Sequence, residues 1–146
     1  MKNLTKGLPI LFAFIILFTA SAFSQSYFQG KTYSGKATFL DKSPIQPLTQ
    51  FGDLIVTMEF KSGDRMNFLA EFVPFPGFDQ VLIEAGVDLN QFKMSMNNMQ
   101  YRVSNGYLIM TKDGSHGQKF EIKHNGETIK IHDFTGQGWT VLLTKK

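Results

Sequence analysis

Three histidines, His116, His124 and His132, are the residues whose type first invites a metal-binding or acid–base reading. Their spacing argues against it. Asn125-Gly126 is a strong signal for a two-residue hairpin turn, which places His124 at the hairpin tip and His132 opposite Lys119. About five residue pairs then separate the two, more than ~10 Å at roughly 3.3 Å per residue, whereas metal ligands sit at about 2 Å. His116 falls in another loop, with no cysteine or spaced carboxylate to join it. Asp41, Asp53, Asp64, Asp79, Asp88, Asp113 and Asp133 fall mostly in loops or at strand ends, where Asp caps and turns the chain. The chain has zero cysteines, which excludes thiol catalysis and cysteine metal sites. It contains no Gly-x-Ser-x-Gly elbow, His-Glu-x-x-His motif, phosphate-binding loop or dinucleotide fingerprint. No enzymatic activity, metal or cofactor is expected.

What remains is apolar. Met58, Phe60, Met66, Phe68, Phe72, Met99, Tyr101, Met110, Phe120 and Trp139 recur at positions that share one face. Such a set of aromatics and flexible thioethers either lines a cavity that adapts to apolar ligands or fills the interior as core. Phe75 and Phe78 stand between Pro74, Pro76 and Gly77. Leaving each ring in water would forgo roughly 1.5–3 kcal/mol. This loop therefore reads as a lid over the interior or as a sticky surface for a partner.

The elements that carry these residues are strands, because period-two alternation dominates. The turn at Asn125-Gly126 pairs Ile122 with Ile129 and Glu121 with Lys130, apolar against apolar and charge against charge. The turn at Asn105-Gly106 pairs Val103 with Leu108 and Tyr101 with Met110. A three-residue loop Lys61-Ser62-Gly63 would pair Met58 with Met66, Val56 with Phe68 and Glu59 with Arg65. The loop Asp113–Gly117 would set Met110 against Phe120, and Gly136 and Gly138 lead into a last strand with Trp139, Val141 and Leu143. Five strands follow from Met99 onward. Thr32–Leu40, with Tyr33, Gly35, Ala37 and Phe39 inward, and the hairpin over 54–72 bring the total to eight. The expected fold is all-β: an eight-stranded antiparallel up-and-down barrel, favoured over a sandwich because nearest-neighbour hairpins predominate. Residues 41–52 read as a long loop. Residues 73–95 read as an insertion between the third and fourth strands. A short helix is expected there from an Asp79 cap to Gly86, with Val81, Leu82 and Ala85 on one side, and Asp88 capping a further turn.

The N-terminus sets the context. Lys2 and Lys6 precede an apolar stretch from Leu8 to Phe18, and small residues follow at Ala20, Ser21, Ala22 and Ser24. Basic, apolar and small in that order is the pattern of a secretory signal peptide, and the apolar stretch falls short of the ~20 residues a spanning helix needs. Residues 1–24 are the expected signal, cleaved after Ser24 or Ala22, and residues 25–146 the single mature domain. The missing cysteine rules out a bacterial lipoprotein, so a periplasmic or secreted protein without a stable membrane anchor is expected. Lys2 and Lys6 leave with the signal, so Lys+Arg falls from 15 to 13 against 12 Asp+Glu, and the net charge falls from +3 to +1. That removes the case for a nucleic-acid partner.

This layout resembles the small exported lipocalin-like (calycin) domains of bacteria. At Gly30-Lys31-Thr32, Thr32 stands where the family's Gly-x-Trp signature has its Trp. Fatty-acid-binding relatives hold a carboxylate with an inward Arg, whereas Arg65 and Arg102 fall on the outer face of this pairing. The resemblance implies a carrier of a hydrophobic small molecule. The alternative is a solid-core interaction module, an inhibitor or envelope assembly factor, that presents the Phe75/Phe78 loop to an envelope or extracellular protein.

Overall fold

The computed structural model describes residues 26–39, 46–111, 117–123, 126–132 and 138–146. The expected signal segment 1–24, residues 40–45, His116 and His124 lie outside them. Eight strands follow in order: β1 (Thr32–Phe39), β2 (Gly52–Phe60), β3 (Arg65–Pro74), β4 (Met94–Ser104), β5 (Tyr107–Thr111), β6 (Gln118–Lys123), β7 (Thr128–His132) and β8 (Trp139–Lys145). Each pairs antiparallel with its sequence neighbours, and β8 returns to β1 to close the barrel. One short helix, α1 (Phe78–Glu84), lies between β3 and β4, and 3₁₀ turns cover Gln46–Gln50 and Leu89–Phe92.

Alternation builds the wall. Along β2 the even positions Gly52, Leu54, Val56, Met58 and Phe60 are buried, while Asp53, Ile55, Thr57 and Glu59 keep solvent contact. The same rule places Met66, Phe68, Ala70 and Phe72 of β3 inside. The 105–106 and 126–127 turns give the expected pairs, Val103 with Leu108, Tyr101 with Met110, Ile122 with Ile129 and Glu121 with Lys130.

Two expected registers are each displaced by two residues. Phe60 faces Met66, Met58 faces Phe68 and Glu59 faces Asn67, correcting the Met58–Met66, Val56–Phe68 and Glu59–Arg65 pairs. Lys61 N–H donates to the Arg65 carbonyl at 2.8 Å, so the loop is Ser62-Gly63-Asp64. The expected register would set buried Phe60 against Asp64; the observed one sets it against Met66. Likewise Met110 pairs with Gln118 and Leu108 with Phe120, correcting the Met110–Phe120 pair. A Cβ on Gly117 would lie 2.3 Å from the Met110 carbonyl oxygen, so Gly117 belongs against β5 and not in the loop. An even displacement keeps every residue on its face, so the assignment of inward residues is unchanged.

The insertion also departs from expectation. β3 runs on to Pro74 and β4 begins at Met94, which shortens the segment between them. Gly77, without a side-chain cap, precedes α1 where Asp79 was expected to cap it. Leu82 packs inward, but Val81 and Ala85 are exposed. Asp88 does cap its turn, its Oδ1 accepting from Asn90 N–H at 3.0 Å.

The barrel end that holds the tight turns and the N-terminal residues is solid. Phe60 is its hub, with ring centroids 4.9 Å from Tyr101, 5.0 Å from Phe28 and 5.6 Å from Tyr33. The turn at Ser26–Phe28 folds across this end and brings Phe28 into the core. Backbone bonds hold it there: Gly30 N–H donates to the Phe60 carbonyl and Phe60 N–H to the Lys31 carbonyl, both at 2.9 Å. Gly126 is the seat of the plug. A Cβ there would lie 2.7 Å from the Tyr27 ring and 2.8 Å from the Phe28 ring. The Tyr33 hydroxyl donates to the Gly126 carbonyl oxygen.

Replacing Phe28 by Ala is expected to cost about 3–5 kcal/mol, the range for truncating a buried aromatic. Denaturant unfolding measures this, and a loss below about 1 kcal/mol would show the plug to be dispensable.

Burial pushes the Tyr33 phenol well above its ordinary range, with Tyr27 and Glu127 adding to the effect. Burial, then Asp64, raises Tyr101 as well. Both phenols stay protonated in the folded barrel at a pH where the unfolded chain ionises them. Their contribution is therefore complete below about pH 10, the ordinary tyrosine value, and is lost as pH rises toward the folded value. Melting temperature should be flat from neutral pH to about 9 and fall beyond about 10. Tyr33→Phe should flatten that alkaline fall and cost about 1–3 kcal/mol at neutral pH, because the buried Gly126 carbonyl loses its donor.

Candidate functional site

At the other end of the barrel the connections are longer, and their described parts form a lid. Phe75 N–H donates to the Phe51 carbonyl at 2.8 Å, tying the segment after β3 to the one before β2. The Phe51 and Phe78 rings lie 5.6 Å apart, and those of Phe72 and Phe92 6.3 Å apart. Leu82 is the buried residue of α1. On the outer rim Lys36 Nζ meets Asp53 Oδ1 at 2.6 Å and lies 5.9 Å from the Phe75 ring centroid. That cation steadies Phe75 more than it stabilises the fold, since exposed ion pairs contribute little.

Beneath the lid the wall changes character. Inward positions are apolar on every strand, apart from Gln118 near the mouth and Lys145 at the closed rim, both exposed. In the lower and middle barrel, Tyr33, Val56, Met58, Met66 and Phe68 have no solvent-accessible surface. A side chain in that state has no water-sized void against it, so this part of the interior is filled. Nearer the mouth Phe39, Met94 and Met96 are only half-buried while packing on the core. Gly35 pairs with Val56, Val56 with Ala70 and Ala70 with Met94, a row of smaller inward residues that ends on a thioether.

A β-bulge supplies two of the mouth methionines. Met66 pairs with Met99 but Phe68 with Met96, so β4 carries one extra residue between them. Asn98 takes a left-handed φ of 56°. Its N–H donates to Asn67 Oδ1 at 2.9 Å, and its carbonyl accepts from Arg65 Nη1 at 3.2 Å. The extra residue reverses the phase of alternation, so Met94 and Met96 face inward alongside Met99 and Tyr101. Met58, Met66, Met94, Met96, Met99 and Met110, every methionine after Met1, belong to the barrel interior.

The structure divides the residues expected to line a pocket. Phe60 and Tyr101 form the closed-end plug, with Met66 paired to Phe60. Met58, Phe68, Met110 and Phe120 are buried in the interior at no more than 2% exposure. Phe72 and Trp139 are buried on the inner wall, and Phe75 and Phe78 are in the lid. Sequence reasoning missed Phe28, Met94, Met96, Phe51 and Phe92. For the methionines a signal was present, since Met94-x-Met96 alternates before the phase breaks at Asn97-Asn98. His132 is exposed on β7 opposite Thr140, and the described residues hold no cluster of metal-ligating side chains.

Comparison with known protein families, with curated proteins and with solved structures finds no match to this chain.

Asn98 is a local test of the bulge. Asn98→Val should cost about 1–2 kcal/mol, because a β-branched residue tolerates the left-handed conformation poorly. Asn98→Gly should stay within about 0.5 kcal/mol of the parent. Equal losses for both would show that the side chain, not the backbone conformation, holds the bulge.

Proposed function

We propose that this chain is a small exported binding protein of lipocalin-like type that holds a hydrophobic small molecule in the upper barrel, beneath the lid. The observation that supports this reading is the contrast along the inner wall. Phe39, Met94 and Met96 face inward with accessible surface at the mouth, while the wall below them is filled. Thioethers re-pack around irregular apolar shapes at low cost. The ligand on this reading enters from the lid side and stops above the aromatic plug. The protein acts by sequestering its ligand and not by catalysis.

The export reading fits this role. Cleavage near Ser24 would release a domain of net charge +1 with no lipid anchor, into the periplasm or beyond. A near-neutral surface suits a diffusing carrier and gives no attraction to nucleic acid.

Titration with Nile red, a neutral apolar dye, should give saturable blue-shifted emission. Native mass spectrometry of protein purified from its host should show a co-purified mass. Met94→Lys with Met96→Lys should weaken dye binding at least about tenfold, by charging the mouth. Both side chains pack on the core, so the melting temperature of the variant is measured beside its dye affinity, at a temperature where the barrel is folded. Absence of both dye uptake and co-purified ligand would defeat the proposal.

A further inference from the structure

One inward position on the lid side is polar. Gln118 opens β6, shares its face with buried Phe120 and pairs with Met110 of β5, itself 1% exposed. β6 runs from Gln118 to Lys123 at the tight-turn end, so Gln118 stands at the end away from the aromatic plug. Gly117 before it packs against the Met110 backbone, while Gln118 itself is exposed. An accessible primary amide, both donor and acceptor, is thereby set where the inner wall of β6 begins.

The rest of that wall is uncharged. Among the described residues no other inward position on the lid side carries a polar side chain, and the inward Lys145 lies at the closed rim. The cations bordering the lid side, Lys36 and Lys93, are already held by Asp53 at 2.6 Å and by Glu71 at 3.6 Å. A carboxylate entering the barrel would be buried without a cation, and an alkylammonium would meet no inward carboxylate. Either costs far more than burying an uncharged group. A hydroxyl or carbonyl also needs a partner once it leaves water, and the Gln118 amide supplies one.

We infer that the ligand of the upper barrel is an uncharged amphiphile, an apolar chain or ring system with one hydroxyl, carbonyl or amide group that hydrogen-bonds Gln118. This rests on the binding reading above and narrows its ligand class. The apolar part packs on the interior wall, and the polar end stays at the rim of β6. Fatty acids and cationic amphiphiles are disfavoured for one reason, the want of an inward counter-charge.

Displacement of Nile red by 1-dodecanol, dodecanoate and dodecyltrimethylammonium tests the class, at about pH 8 where the acid is ionised. Dodecanol should displace the dye at a concentration at least about tenfold below either ion. Gln118→Leu should weaken dodecanol about three- to tenfold through loss of one hydrogen bond. Gln118→Lys should strengthen dodecanoate about tenfold by supplying the missing cation. These variants separate recognition by the amide from the general preference of an apolar cavity for the less soluble probe, and circular dichroism verifies that each keeps the barrel. Three results would each overturn the inference and leave the binding reading in place: dodecanoate matching dodecanol on the parent protein, dodecanol affinity unaltered in Gln118→Leu, or no gain of dodecanoate in Gln118→Lys. Absence of dye uptake by the parent protein would instead remove the binding reading itself, and this inference with it.

Discussion

β1 and β8 approach so closely at Gly35 that an added Cβ would lie 2.3 Å from the Leu142 carbonyl oxygen. The barrel depends on the pairing of these two strands. β1 pairs with β2 on one edge and with β8 on the other, and this second ladder turns an open sheet into a closed one. Closure satisfies both outermost strands and removes the edge that would otherwise invite pairing with another chain. It also defines an inside, without which the apolar alternation of eight strands would have nothing to pack against. For a cysteine-free chain, stability then rests on ladder hydrogen bonds and on the packing of that interior.

The interior differs between its two ends. At the closed end, rings of Phe28, Tyr33, Phe60 and Tyr101 interlock, and each favourable aromatic pair adds about 0.5–1.5 kcal/mol beyond its burial. The tyrosine hydroxyls reach out of this cluster to the carbonyls of Gly126 and Gly63, so rings and polar tips are both satisfied. The upper wall combines small residues and thioethers with the rings of Phe39, Phe72 and Trp139, and the thioethers rearrange more easily than the rings.

The lid joins these two themes. Its inner side closes the mouth through Leu82 and the Phe51–Phe78 contact. Val81 and Ile83, on either flank of Leu82, stay exposed. A seven-residue helix has too few positions to bury a complete apolar stripe on the barrel, and FDQVLIE places apolar residues on more than one side. The excess apolar surface is therefore a property of the helix and not of loose packing around it.

Much of this was legible without coordinates. Alternation with period two identified the strands, their inward faces and their number, because strand geometry sends successive side chains to opposite sides. Turn chemistry at Asn105-Gly106 and Asn125-Gly126 determined register, since a two-residue loop leaves no slack. Loops of three and five residues have slack, and there tertiary packing chose: Phe60 against Met66, and Gly117 against the Met110 backbone. Met94 and Met96 left a trace in their alternation, but their inward phase was decided by a bulge that exists only relative to a partner strand, with Asn98 stabilised by Asn67 and Arg65 of β3. Phe28 was hidden for a similar reason. Nothing in the dipeptide Tyr27-Phe28 shows that a chain end will cross the barrel floor and rest on Gly126, a residue nearly a hundred positions away. Outside the β4 bulge and the N-terminal turn, the sequence by itself determined which side chains face inward, through local geometry. Which of them fill the barrel and which line its mouth was decided by long-range closure, because filling depends on which strands meet.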